Sequence, residues 1–292
     1  MNKIKISKGK YFYFLLIIFI ASAFNYFSGF RGIFPIDSFL IFDAGYKVLN
    51  DFHPFRDYWS ITGPFLDYIQ YLVFKIFGVS WGSFVLHAAL INVFLTTVTF
   101  NFFSKLGINK NFSLLYSVSI AILGYPSVGT PFMDHHASIL SLISLMALIL
   151  ALKNNNNFYW FVAPLLLGFS FFSKQIPSTY LSFLFLFIIL SYLVILKFKQ
   201  KTFLIFILYG LISFSAFVLF VVFINDIPIK NIIMQYIFYP MSIGEVRSDT
   251  LKFDIKNSIL QFKFIYFSLI PSLVASFYLI KIKKKNYKNK VD

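Results

Sequence analysis

Long apolar runs, closed by lysine, asparagine or turn residues, dominate the pattern of this chain. Eight approach the roughly 20 residues that a helix needs to cross a bilayer. They cover 11–30, 82–103, 112–129, 137–152, 158–172, 178–196, 202–224 and 262–280, with 137–152 and 158–172 short for full crossings. Two further stretches carry helical periodicity without span length. Phe39, Phe42, Tyr46 and Leu49 recur at three- and four-residue steps within 38–49. In 64–77 a polar stripe of Asp67, Gln70, Tyr71 and Lys75 suits a helix lying in the membrane interface. The pattern predicts an all-α, polytopic membrane helix bundle. It forms one transmembrane domain over 1–292, with juxtamembrane helices in a long first outer loop, 31–81, and a basic tail, 281–292.

Composition removes the soluble alternative. Of 292 residues, 59% are hydrophobic and 13% charged, against about 45–50% and about 25% in soluble chains. With no cysteine, disulfide scaffolds and thiolate metal sites are excluded. The net charge of +15 is a matter of topology and implies no nucleic-acid partner. With the N-terminus in the cytoplasm, the inner segments 1–10, 104–111, 153–157, 197–201 and 281–292 hold sixteen Lys and a single acid, Asp292. The outer segments hold nine of the other ten basic residues, with Lys263 at the outer edge of the last span, and ten of the eleven acids. A ninth span at 64–77 would invert every later loop and put Lys197, Lys199 and Lys201 outside. Eight spans in the inner (cytoplasmic) membrane, both termini cytoplasmic, are therefore expected. The first apolar run lacks a small-residue cleavage site and reads as an anchor rather than a signal peptide. The Asn run at 154–157 reads as a tight inner turn, and no pair of broken helices of the transporter kind is evident.

Polar chemistry thus collects on the outer side, in 31–81, 130–136, 173–177 and 225–261. Residues 31–81 hold five acids, Asp37, Asp43, Asp51, Asp57 and Asp67. Asp37 stands where a helix N-cap would. Asp43 and Lys47 are four apart, the spacing of a surface ion pair. Asp57 sits between Arg56 and Tyr58; the group is either a local Arg–Asp pair among interfacial aromatics or a rim that grips a polar ring. Asp134, His135 and His136 open the fourth span, where acids and imidazoles are costly unless used or hydrated. The adjacent histidines point about 100° apart on a helix and make poor joint metal ligands. Asp134 with one of them and a first-loop acid could still hold a divalent ion. Lys174 is either a snorkelling lysine or a point charge for a phosphate, and Arg247 is a second phosphate candidate. His87, in an apolar helix, reads as a satisfied core residue.

The order Asp37, Asp43, Gly45, Tyr46, Leu49, His53, Pro54, Phe55, Arg56, Asp57, Tyr58, Gly63, Pro64, Phe74, Lys75, Ile76, Phe77, Gly78 resembles the N-terminal part of bacterial and archaeal GT-C glycosyltransferases. The likeness covers roughly 10–180. It is closest to the group of protein O-mannosyltransferases, lipid A aminoarabinose transferases and rhizobial core transferases. It implies a multi-span fold with an essential acid in the first outer loop, and transfer of a sugar from a polyprenyl-phosphate carrier. The acceptor would be an extracytoplasmic glycan, lipid or protein, with membrane lipids around the bundle. Asp37 is then the expected general base with Asp43 as substitute, and Asp134 the second acidic motif. Lys174 and Arg247 would hold the phosphate, with Asp57, Arg56, Tyr58, His135 and His136 around the substrates. No cofactor is fixed by these residues; if a divalent metal, Mg or Mn, is held, Asp37, Asp134 and His135 are its candidate ligands. Many relatives carry two adjacent acids where this chain has Asp37 and Ser38, and the chain is short for the family. A second expectation is therefore a non-catalytic transporter or a partner subunit in envelope assembly.

Overall fold

A computed structural model describes residues 8–32, 37–124, 129–195, 201–250 and 255–288. Its side chains are described except at 8–10, 37, 38, 247–250, 258 and 279–288. Among the described residues the chain is all-helical. The helices are α1 (Lys8–Gly29), α2 (Asp37–Leu49), α3 (Phe65–Phe77), α4 (Trp81–Leu106), α5 (Lys110–Leu123), α6 (Met133–Asn154), α7 (Asn157–Phe171), α8 (Gln175–Ile195) and α9 (Thr202–Ile224). A short α10 (Ile229–Ile232) runs through a π-helical stretch (Ile233–Phe238) into α11 (Tyr239–Thr250). Then come α12 (Ile255–Gln261) and α13 (Lys263–Lys288), bent by 66° at their junction. The chain divides into two compact units, 1–240 and 241–292.

Among the described residues, five helices are long and apolar enough to cross a membrane: α1, α4, α6, α8 and α9. The α12–α13 pair makes a sixth if the bend lies within one span. The helix expected to be short at 137–152 has 22 residues, because it takes in the polar turn of Asp134, His135 and His136. By contrast, α5 and α7 have 14 and 15 residues. At 1.5 Å per residue they fall short of the roughly 30 Å of a bilayer core.

Local chemistry sets the turns. Ser80 caps α4 by accepting from the Ser83 amide at 3.1 Å, and Gly107 ends it in the left-handed region, φ 93°. The Asn run between α6 and α7 divides its labour. Asn155 takes the left-handed conformation (φ 46°) that asparagine tolerates, while Asn156 accepts from the Phe158 amide at 2.9 Å and caps α7. That turn folds α7 back on α6. Trp160 is buried there, with Phe203 at 4.6 Å and Tyr192 at 5.6 Å between ring centroids.

α4 and α6 form the interior: 61% and 67% of their apolar windows are buried, against 17% in α8 and α9, which face outward. Inside, Asn92 on α4 bonds Asn25 of α1 at 2.8 Å and the Ala121 carbonyl of α5 at 2.9 Å. This is the interhelical polar bonding that holds membrane bundles together.

The two ends of the bundle differ. At one, Tyr13 donates to Asn111 at 2.8 Å, Lys105 to Tyr159, and Lys153 to the Lys105 and Leu106 carbonyls at 3.2 and 3.0 Å. At the other, Trp81 donates to the Gly29 carbonyl at 2.9 Å. There too the chain between α2 and α4 meets the turns before α6, between α7 and α8, and after α9.

Candidate functional site

This second end is built by three backbone segments tied across one another. The Gly63 amide donates to Ser173 O at 3.1 Å and the Phe65 amide to Phe172 O at 3.2 Å. A Cβ on Gly63 would lie 1.8 Å from Phe172 O, so only glycine permits this crossing. Gln175 donates to the Ile61 carbonyl at 3.0 Å and the Tyr236 carbonyl at 2.8 Å. Arg56 reaches Asn225 O at 2.9 Å, Asn231 reaches Phe55 O at 2.8 Å, and the Ser60 amide donates to Gln235 at 3.0 Å. The first loop is thus strapped to the turn between α7 and α8 and to the turn after α9.

Within this frame Lys174 stands 2.5 Å from Asp134, joining the α7–α8 turn to the first turn of α6. Both side chains are partly open, 32% and 44% exposed. A pair so placed is worth about 1 kcal/mol or less in stability. The helix N-terminus also favours an anion at Asp134. Met133, the preceding residue, is buried in one cluster with Ile41 of α2, Leu66 and Phe74 of α3 and Phe84 of α4. The start of α6 therefore abuts both first-loop helices.

His135 is half-buried, edge-on to Phe132 at 5.5 Å between centroids. His136 is fully buried and turned inward. Its Nδ1 lies 3.0 Å from Phe132 O, its Nε2 3.1 Å from His87 Nε2, and His87 Nδ1 2.8 Å from the Gln70 side chain. A carbonyl only accepts, so the His136 hydrogen sits on Nδ1 and its Nε2 accepts from His87 Nε2. A neutral His87 then offers a bare Nδ1, and the Gln70 amide must present its nitrogen there. His87 is a satisfied interior residue, and His136 serves this chain of bonds rather than the surface.

The first-loop acids have separate surroundings. Asp43 pairs with Lys47 at 2.7 Å, both exposed, as the four-residue spacing predicts. Lys47 also lies over the Tyr58 ring at 5.0 Å. Asp57 accepts from the His53 amide at 2.7 Å and from Arg56 at 2.8 Å. The His53 amide chiefly, helped by the Arg56 guanidinium, holds its carboxyl below the usual range against the opposing effect of burial. His53 continues to Asp51 at 3.1 Å and to the Tyr68 hydroxyl at 3.2 Å.

Asp67 is different. It is 4% exposed, and Tyr58 donates to it at 3.0 Å. Burial pushes its carboxyl up to about 7 despite that bond, and burial together with Asp67 raises the Tyr58 phenol. Sequence reasoning placed Asp67 on an interfacial polar stripe with Gln70, Tyr71 and Lys75. The stripe divides: Asp67 and Gln70 are buried, while Tyr71 and Lys75 bond each other at 2.9 Å on the exposed side. Gly45 is the reason, since a Cβ there would come within 2.5 Å of Gln70 and push α2 off α3. A signal was present. Gln70 falls on the apolar stripe of Leu66, Val73 and Phe74 at helical spacing.

Asp37 is the first residue of α2, four before Ile41; its side chain lies outside the described residues, as does that of Arg247 in α11. Among the described residues no three His, Asp or Glu side chains gather in a metal-ligating group, and the Asp134 carboxylate is held by an ammonium. The structure thus brings together Asp134, Lys174 and the backbone of the first loop. It sets Asp43, Tyr58 and Asp67 in a neighbouring cluster, with Arg56 and Asp57 at the strap. No protein-family model, curated protein or solved structure matches the chain.

Proposed function

We propose that this chain is a multi-pass membrane glycosyltransferase of the GT-C type, moving a sugar from a polyprenyl-phosphate carrier to an extracytoplasmic acceptor. In this reading the eight apolar helices all cross, the short α5 and α7 by local thinning of the bilayer, both termini are cytoplasmic, and the strapped end faces outward. One observation carries it most: Asp134 and Lys174, from separate turns, stand as an open ion pair at that end, where stability gains little from them.

Polyprenyl phosphate is already a good leaving group, so the protein needs to hold the phosphate and deprotonate the acceptor. The carrier phosphate would compete with Asp134 for the Lys174 ammonium. Asp134, released from that bond, would accept from an acceptor hydroxyl and orient it. Asp37 would take the proton as the hydroxyl oxygen bonds to the anomeric carbon, general-base help worth about 10²–10⁴-fold. The C–O bond to phosphate breaks on the opposite side, its electrons leave with the phosphate, and the anomeric centre inverts. Asp43, engaged by Lys47, fits a rim position better than a base. No step requires a metal.

The test is transfer of radiolabelled sugar from polyprenyl-phosphate donors by reconstituted protein, comparing wild type with Asp37→Asn and Asp134→Asn. Loss in both variants is expected; undiminished transfer by both removes the assignment. A second reading, a non-catalytic partner subunit in envelope assembly, is favoured by the pairing of Asp43, Asp57 and Asp134 with cations. It predicts no transfer by wild type with any donor and co-purification with another envelope protein.

A further inference from the structure

The opposite end of α4 and α6 carries a cavity of about 310 Å³ between α1, α4 and α5, lined by Tyr13, Phe100, Asn101, Ser104, Lys105 and Lys110. Tyr13 stacks on Phe100 with centroids 5.5 Å apart and donates to Asn111 at 2.8 Å. Ser104 Oγ is buried there with no hydrogen-bond partner among the described residues. Lys153 brings a third ammonium alongside, bonded to the Lys105 and Leu106 carbonyls at the end of α4.

Among the described residues, Lys105, Lys110 and Lys153 form no ion pair with an acid. From residue 68 to residue 133 the sequence has no Asp or Glu, and none precedes Asp37. The three helices that build the cavity therefore contain no acid. An aromatic floor, amide and hydroxyl donors, and a rim of lysines make up the chemistry that receives a phosphate whose apolar part stays in the membrane. Lysine serves such a group as a point charge, and basic pockets between membrane helices bind anionic headgroups.

We propose that this cavity binds a phosphate ester, supplied by the headgroup of an anionic phospholipid. The site is independent of the sugar-transfer reading and sits at the other end of the bundle from it.

Native mass spectrometry of the full chain, released from nanodiscs of phosphatidylcholine with or without phosphatidylglycerol, tests this. Wild type should retain one phosphatidylglycerol in preference to phosphatidylcholine. Each lysine near an anionic surface contributes enough for about a fivefold effect, so Lys105→Gln with Lys110→Gln should weaken retention by about 30-fold. The Lys105→Arg, Lys110→Arg pair should keep it, which separates lost charge from lost fold, and Lys75→Gln at the other end should leave it unchanged. Glycerol phosphate and inorganic phosphate are added as competitors. Displacement by either, with the same lysine dependence, supports the phosphate site and assigns it a soluble source as well. Equal retention of both lipids by wild type, or unchanged retention in the glutamine pair, overturns the proposal.

Discussion

Asp67→Asn is the most informative single change. The side chain is 4% exposed and its carboxyl is pushed up to about 7 from 3.8 by burial. Three pKa units correspond to about 4 kcal/mol of penalty on the ionised form. The sign follows from proton binding. Between about pH 4 and about pH 7 the folded protein holds a proton that the unfolded chain has lost, so wild-type stability falls as pH rises through that window and levels above it. Asparagine keeps an oxygen for the Tyr58 hydroxyl and carries no charge. Its amide nitrogen must itself be desolvated, at about 1–3 kcal/mol, but that cost does not change with pH. At pH 5 the wild-type penalty is about 1.6 kcal/mol and at pH 8 about 4. The variant should therefore gain about 2 kcal/mol on wild type from pH 5 to pH 8. Thermal midpoints of the detergent-purified proteins, scanned at one rate at both pH values, read this directly. A difference between variant and wild type that is the same at pH 5 and pH 8 would refute the reasoning. A carboxylate kept where it costs stability is the kind of group found at working sites.

Three other outcomes are expected. Gly63→Ala forces the first loop away from Phe172 and breaks the Gly63 and Phe65 amide bonds. It should cost about 2–4 kcal/mol and speed hydrogen exchange at those two amides; unchanged exchange would contradict the crossing. Lys174→Gln should change stability by no more than about 1 kcal/mol while lowering transfer at least about 100-fold; a large stability loss with transfer retained would make the pair a brace. Because the chain has no cysteine, Trp59→Cys and Asn156→Cys can be labelled without background. An impermeant maleimide on intact cells should mark the first and spare the second, and the reverse would invert the proposed topology.

Much of the fold was legible because bilayer-length apolar runs and lysine-rich turns impose simple patterns. The apolar runs at 82–103, 178–196 and 202–224 recur as α4, α8 and α9, and the Asn run is the α6–α7 turn because left-handed and capping asparagines are both needed there. Asp43 and Lys47 were readable from local spacing alone. The Asp134–Lys174 contact was not, since forty residues separate the partners and only the strapping of 63–65 to Phe172 and Ser173 fixes where Lys174 stands. Asp67 was misplaced for a related reason: a short helix with polar residues on one side looks interfacial until Gly45 lets α2 cover it.

Sugar transfer at this site requires the donor to meet Asp134, Lys174 and the first loop. A photoreactive polyprenyl-phosphate sugar, crosslinked to the reconstituted protein and mapped by peptide mass spectrometry, tests that directly. Label in 53–68, 130–136 and 173–178, diminished by Lys174→Gln, is the predicted result. Label confined to 104–111 and 153–157, or unaffected by loss of Lys174, would contradict it.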